Sequence, residues 1–464
     1  MPGKPGAAVL AALSGVPFIM VLGNSMIIPV LPAIKGALDL SDLDVSMIIT
    51  LFSVPAGLII PLAGFLSDRF GRKVVIAPSL ILYGLGGVVA GLAGVYLDKG
   101  AAYSTILGGR ILQGIGAAGT APIAMALCGD LFAGKDRSKS LGIIEAANGF
   151  GKVLSPVLGS LLGLIAWYAT FLFFPAVVVP IVIGLWLLVK EPDSNRTNQS
   201  VGQYLQSIKK IFEKKMAMLL TSFFAGMTAL LILFGVLFFL SEYLENRYNM
   251  KGVIKGLALA IPVLFMSSTS FITGTLIKKK LKLMKWLVFT GLALISASLA
   301  VLGIFNRNTI LFFIAISVAG VGTGLTLPCL NTIITSSCQA QRRGLVTSLY
   351  GSVRFFGVAL GPPAFGLLMG YNRAVMFWSA AALAGLAALL SIFLIRVQDM
   401  KKPATTTDGG EEDQGGVSVR SIPVKLKVPV FVFSPAKKPE AAGKTACPEK
   451  LPGQNTESRR QNPE

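Results

Sequence analysis

Residues 114–159 read GIGAAGTAPIAMALCGDLFAGKDRSKSLGIIEAANGFGKVLSPVLG, and residues 320–366 read GVGTGLTLPCLNTIITSSCQAQRRGLVTSLYGSVRFFGVALGPPAFG. At a constant offset Gly116 falls on Gly322, Pro122 on Pro328, Arg137 on Arg343, Gly151 on Gly357 and Pro156 on Pro362. Each stretch is a pair of apolar runs joined by a short basic break. Fixed Gly, Pro and Arg positions over this length are an internal repeat, not a coincidence of apolar text. The copies run in the same order, so the chain is two related halves of parallel topology.

Working outward, a hydrocarbon core of ~30 Å needs about 20 apolar residues per helical crossing. Such runs fall near 8–34, 45–67, 74–97, 104–129, 140–165 and 168–189, then near 216–241, 252–277, 286–305, 309–336, 344–369 and 374–395. The expected fold is therefore an all-α membrane protein of twelve spans in two pseudo-symmetric six-helix bundles. Residues 1–189 form the first, a polar central loop covers 190–215, and residues 216–395 form the second. Residues 396–464, rich in Pro, Lys, Glu, Gly and Thr, are too polar to build a core and read as a disordered cytoplasmic tail.

Composition agrees. Hydrophobic residues make up 53% of the chain and charged ones 14%, with a mean hydropathy of +0.70; so apolar a surface calls for lipid. The net charge of +20 does not imply nucleic acid, because the cations sit in the breaks between apolar runs. One alternate set of connections holds Arg69, Arg72, Lys73, Lys135, Arg137, Lys139, six cations of the central stretch, Lys278, Lys279, Lys280, Lys282, Lys285, Arg342 and Arg343. The other holds only Lys35, Lys99, Arg247, Lys251, Lys255, Arg307 and Arg373. That imbalance places both termini and the central loop in the cytoplasm. The start of the chain reads as a retained first span, not a removed signal peptide.

The chain has no histidine, and its four cysteines are scattered: Cys128, Cys329 and Cys338 in apolar runs, Cys447 in the tail. No disulfide framework, metal set or nucleophile–base pair assembles, which argues against an intramembrane enzyme and for a protein without cofactors.

Four stretches resemble the major facilitator superfamily, in particular its twelve-span drug:proton antiporter-like branch. They are GFLSDRFGRKVVI (64–76), LGNSMIIPVLP (22–32), ILGGRILQGIGAA (106–118) and GKVLSPVLGSLL (151–162). The last departs from the antiporter pattern, with Ser155 and Ser160 where glycine is usual. The resemblance covers residues 8–395. It implies a conformational latch at Gly64, Asp68, Arg69, Gly71 and Arg72, with Asp130 as a partner for Arg72. It also implies helix hinges at Gly151 and Pro156 and at Gly357, Gly361 and Pro362.

Charges at membrane depth are costly and face a cavity. At 1.5 Å per residue, Lys152 lies about 18 Å into span 5, Arg354 about 15 Å into span 11 and Glu145 about 8 Å into span 5. Arg110 sits in the outer third of span 4. Glu145, Asn148 and Lys152 share a helix face, and Asn148 corresponds to Arg354 in the repeat. Span 1 offers no acid, only Asn24. The expected substrate cavity is thus Asn24, Arg110, Asn148, Lys152 and Arg354, with Glu145 as the proton-coupling candidate. This balance favours an anionic, zwitterionic or neutral amphipathic substrate over a cationic one. The reading is a proton-coupled exporter of the cytoplasmic (inner) membrane, monomeric, partnered by a small molecule and the lipid bilayer and not by nucleic acid. An uptake porter or exchanger of organic anions on the same fold stays open beside it.

Overall fold

A computed structural model describes residues 6–132, 134–191, 201–277, 280–305, 309–337 and 343–396, all within one compact unit. Twelve helices are long and apolar enough to cross a membrane. Spans 1–6 cover Ala7–Leu38, Asp42–Phe70, Arg72–Tyr96, Lys99–Leu131, Lys139–Ile165 and Ala169–Leu188. Spans 7–12 cover Lys215–Tyr248, Gly252–Leu276, Leu281–Ile304, Thr309–Ser336, Gly344–Tyr371 and Arg373–Leu394.

Two differences from the sequence reading matter. Span 7 does not stop at residue 241 but runs on to Tyr248; residues 241–244 of this extension are buried among its neighbours and residues 246–248 are exposed. The central stretch is helical from Val201, broken by non-helical backbone at Lys215 (φ −140°) before span 7 begins. Apolar residues at 201, 205, 208, 211 and 212 give that segment one apolar stripe at helical spacing. The expectations for the tail lie, beyond Arg396, outside the described residues.

The repeat survives as packing. Span 1 packs on spans 5 and 6, span 3 on spans 4 and 6, and span 2 on span 4. In the second half span 7 packs on spans 11 and 12, span 9 on spans 10 and 12, and span 8 on span 10. Between the halves, span 2 lies along span 11 and span 5 along span 8. Exchanging spans 1–6 for 7–12 returns the same set.

Matched glycines serve matched crossings. A Cβ on Gly114 would stand 2.1 Å from the Phe52 carbonyl oxygen of span 2, and one on Gly320 would stand 2.4 Å from that of Pro262 in span 8. Gly116 and Gly322 likewise meet the carbonyls of Ser79 (2.5 Å) and Gly291 (2.4 Å), in spans 3 and 9. No side chain fits there, so these glycines set how closely the helices approach.

Where the halves differ, proline is involved. Span 4 breaks at Gly119–Thr120, just before Pro122, whereas span 10 runs straight through the matching Pro328. Span 1 breaks into a short 3-10 turn at Ile28–Val30, around Pro29, while span 7 passes that level unbroken.

The seam between spans 2 and 11 is stitched by carbonyls that proline sets free. A proline cannot donate to the carbonyl four residues back. Pro61 therefore frees the Gly57 carbonyl, which accepts from Ser352 Oγ of span 11. Pro363 frees the Ala359 carbonyl, which accepts from Thr50 Oγ1 of span 2 at 2.7 Å. Each helix lends the other a hydroxyl.

Candidate functional site

The ends of spans 2 and 3 meet at Gly71, at the basic end of the bundles. Gly71 has φ +111°, a conformation open to glycine and strained for other residues, so the tight reversal requires it. Arg72 Nε lies 2.5 Å from Asp130 Oδ2, and Nη2 lies 3.3 Å from Asp68 Oδ1. The geometry brings together three of the four charges grouped from the sequence, Asp68, Arg72 and Asp130. Arg69 rests against the Phe70 ring instead, 5.5 Å from its centroid. The ion pairs of Arg72 tie spans 2, 3 and 4 of the first bundle to one another. The second bundle meets this corner at Gly64, where a Cβ would stand 3.0 Å from Ser348 Oγ of span 11.

Sequence reasoning missed the residue that completes this corner. Glu191, just past span 6, accepts from the backbone N–H groups of Arg72 (2.6 Å) and Lys73 (2.9 Å). It therefore satisfies orphan donors at the positive end of span 3. Lys73 reciprocates, its Nζ donating to the carbonyls of Trp186 and Val189, each at 2.7 Å, at the end of span 6. An acid directly after an apolar run was the available signal.

The expected cavity set divides in two. Arg110 does not face a cavity. It is fully buried, with Nε donating to the Ile48 carbonyl (2.9 Å), Nη1 to Gln113 Oε1 (2.7 Å) and Nη2 to the Gly23 carbonyl (3.1 Å). Its guanidinium lies 4.3 Å from the Phe52 ring centroid. Asn24 belongs to the same closed junction, accepting from Ser53 Oγ at 3.4 Å while 6% exposed. These two residues join spans 1, 2 and 4; two of the three acceptors on Arg110 are backbone carbonyls, and these carry no signature in a sequence.

Lys152 and Arg354 do converge. They come from spans 5 and 11, in different bundles, and Lys152 stands in the electrostatic field of both Arg354 and Glu145. Among the described residues Lys152 Nζ makes no hydrogen bond or ion pair. Arg354 lies 5.5 Å from the Tyr350 ring centroid, and its Nε is buried without a hydrogen-bond partner. Asn148 Oδ1 is orphaned in the same way. Glu145 is exposed, two helical turns from Lys152 on the same face. Among the described residues neither cation is held in an ion pair; the carboxylate that acts on Lys152 is the exposed Glu145, two turns away, and an unbonded charge at this depth is costly until a partner reaches it.

The proposed hinge residues occupy close crossings. Gly151 lies against Phe18 of span 1, and Gly357 lies under the Met227 carbonyl of span 7, 2.3 Å from where a Cβ would stand. Gly361 meets the Leu231 carbonyl at 2.4 Å on the same measure. Pro156 frees the Lys152 carbonyl, and Ser155 Oγ donates to it at 3.0 Å. This gives the serine that departs from the usual glycine a role beside Lys152. Pro362 stands next to the seam carbonyl of Ala359.

At the far end, a second acid lies inside the bundle. Whereas the proton-coupling candidate Glu145 is exposed, Glu242 of span 7, not singled out from the sequence, is 3% exposed. Its Oε2 accepts from Asn246 Nδ2 at 3.0 Å, and Oε1 lies 3.7 Å from Lys35 Nζ of span 1. Lys35 also pairs with Asp42 at the start of span 2. Nearby, Lys255 pairs with Glu245 at 2.6 Å.

The Major Facilitator Superfamily model matches residues 13–362 and, in an overlapping second match, residues 284–438. The chain belongs to this superfamily. It is 44% identical over 388 residues to the bacillibactin exporter of Bacillus subtilis (strain 168), covering 83% of this chain and 95% of the relative. It is 26% identical over 393 residues to the class B tetracycline resistance protein of Escherichia coli, covering 82% and 93%. A solved bacterial homologue of the human lysosomal transporter Spinster, inward-facing and occupied, superposes with a TM-score of 0.70 at 17% identity, over 87% of this chain and all of that one. The protein is thus a multi-pass major facilitator transporter of small molecules, and not an enzyme.

Proposed function

We propose that this transporter is a proton-coupled exporter of small amphipathic molecules whose polar groups are anionic, zwitterionic or neutral. Substrate binds between the bundles at Lys152 and Arg354, with Asn148 beside them, and is moved by rocking one bundle against the other. Glu145 is the proton carrier. The basic end faces the cytoplasm of the inner membrane, the termini lie on that side, and the working unit is the monomer. One observation carries the substrate class: Lys152 and Arg354, contributed by equivalent helices of opposite bundles, act on each other electrostatically, and among the described residues neither is held in an ion pair. Export, as opposed to uptake, is supported by the exporter that shares 44% of its residues with this chain over most of its length.

The test is efflux of matched anionic, neutral and cationic amphiphiles from cells expressing Lys152→Ala, Arg354→Ala, both together, or Glu145→Gln. A charge-assisted bond contributes about 1.5–3 kcal/mol, so losing either cation lowers export of the anionic probes at least ~10-fold and leaves cationic probes unchanged. Glu145→Gln abolishes the response of export to an imposed pH gradient. Undiminished export by the double variant would overturn the substrate class. A full pH response in Glu145→Gln would remove that carboxylate from the coupling.

A further inference from the structure

Lys35, Asp42 and Glu242 lie far from Lys152 in the spans and take no part in substrate binding as proposed. Lys35 and Asp42 belong to the first bundle, in spans 1 and 2, whereas Glu242 belongs to span 7 of the second. The side chain of Glu242 is 4% exposed, against 30% for Lys35 and 31% for Asp42. Oε1 of Glu242 has no hydrogen-bond partner. Among the described residues the cation within ion-pair distance of it is Lys35, on the opposite bundle. Lys255, the other buried cation at this end, is occupied by Glu245. One residue earlier, Ser241 Oγ donates to the Ile28 carbonyl at 2.8 Å, crossing the same boundary. That carbonyl lies at the 3-10 break of span 1. The far end is therefore closed by two adjacent polar contacts between the bundles.

We infer that Lys35 is the shared countercharge of a far-end gate, held in common by Asp42 of its own bundle and Glu242 of the other. When the bundles part at this end, Lys35 keeps Asp42, and Glu242 keeps Asn246 and gains water. Neither charge is stranded in a dry site, so opening does not carry the large cost of breaking an isolated buried pair. The competition between the two acids sets how firmly the gate closes. Removing Glu242 loosens it; removing Asp42 leaves Lys35 to Glu242 alone and tightens it. A merely structural role for these residues gives no such opposition of sign.

The experiment uses the full chain with its four native cysteines replaced by serine and a single reporter, Asn148→Cys, on the helix face of Lys152. A membrane-impermeant maleimide is applied to intact cells and, in parallel, to inverted vesicles. Glu242→Gln and Lys35→Gln are expected to raise the labelling rate from the far-end side several-fold, and Asp42→Asn to lower it. If the orientation proposed above is reversed, the same opposed changes appear in vesicles instead of cells, which separates failure of that reading from failure of the gate. Unchanged labelling in Glu242→Gln, or a shift of the same sign in Asp42→Asn, overturns the inference. If Glu242→Gln does not fold, judged by its size-exclusion profile, the sign of Asp42→Asn, at a half-buried site, decides the matter.

Discussion

Arg110 and Lys152 look alike in the sequence, each a cation inside an apolar run, and the structure gives them opposite economies. Arg110 is sealed in a three-helix junction with each of its three nitrogens donating; Lys152 is left without a bond among the described residues. Hydrogen bonds to a charged group contribute about 1.5–3 kcal/mol each. Arg110→Met is therefore expected to lower the melting temperature in detergent markedly and to reduce the folded yield. Lys152→Met is expected to hold or raise that temperature while export of anionic probes falls. Equal thermal losses in the two variants would contradict this division. The depth of both residues was legible from spacing alone. Their partners were not, because two of the three groups on Arg110 are backbone carbonyls. Glu242 was missed for a related reason: an acid at the end of an apolar run reads as the membrane edge, and only packing shows that Glu242 itself is buried.

At the scale of the helix, prolines are usually read as kinks, yet Pro61 of span 2 and Pro363 of span 11 each release a carbonyl that bonds the opposite bundle. Ser352→Ala leaves the Gly57 carbonyl without its donor, at a cost of about 1–3 kcal/mol. Pro61→Ala restores an N–H four residues on, so the helix can satisfy that carbonyl itself. The pair is expected to be non-additive: Pro61→Ala combined with Ser352→Ala should recover about 1 kcal/mol relative to the sum of the single changes. A thermal double-mutant cycle measures it, and strict additivity would show that the freed carbonyl does not contribute. The glycine matches Gly114–Gly320 and Gly116–Gly322 were visible as repeats. Their purpose, to admit a carbonyl from a neighbouring helix, became definite only with the crossings themselves.

For the whole molecule, the same helix pairings recur in both halves, and the two seams, 2 with 11 and 5 with 8, leave the cations of spans 5 and 11 at the boundary between the bundles. The far end is closed by Ser241–Ile28 and Glu242–Lys35. The proposed orientation predicts that a cysteine introduced into the 190–215 segment is labelled by an impermeant reagent only in inverted vesicles, and one at Asn249 only in intact cells. The reverse pattern would invert every assignment of side.

The sequence by itself determined the number of spans and the repeat, because apolar run length and residue spacing are local properties. It also placed Lys152 and Arg354 at matching depth, since depth follows from counting residues along a helix. Apart from Arg72 with Asp68 and Asp130, the tertiary structure alone decided which charges are paired. Arg110 closed on carbonyls, Glu191 on a helix end and Glu242 across the bundles, for partnership depends on distances between segments far apart in the chain, and no local pattern encodes them.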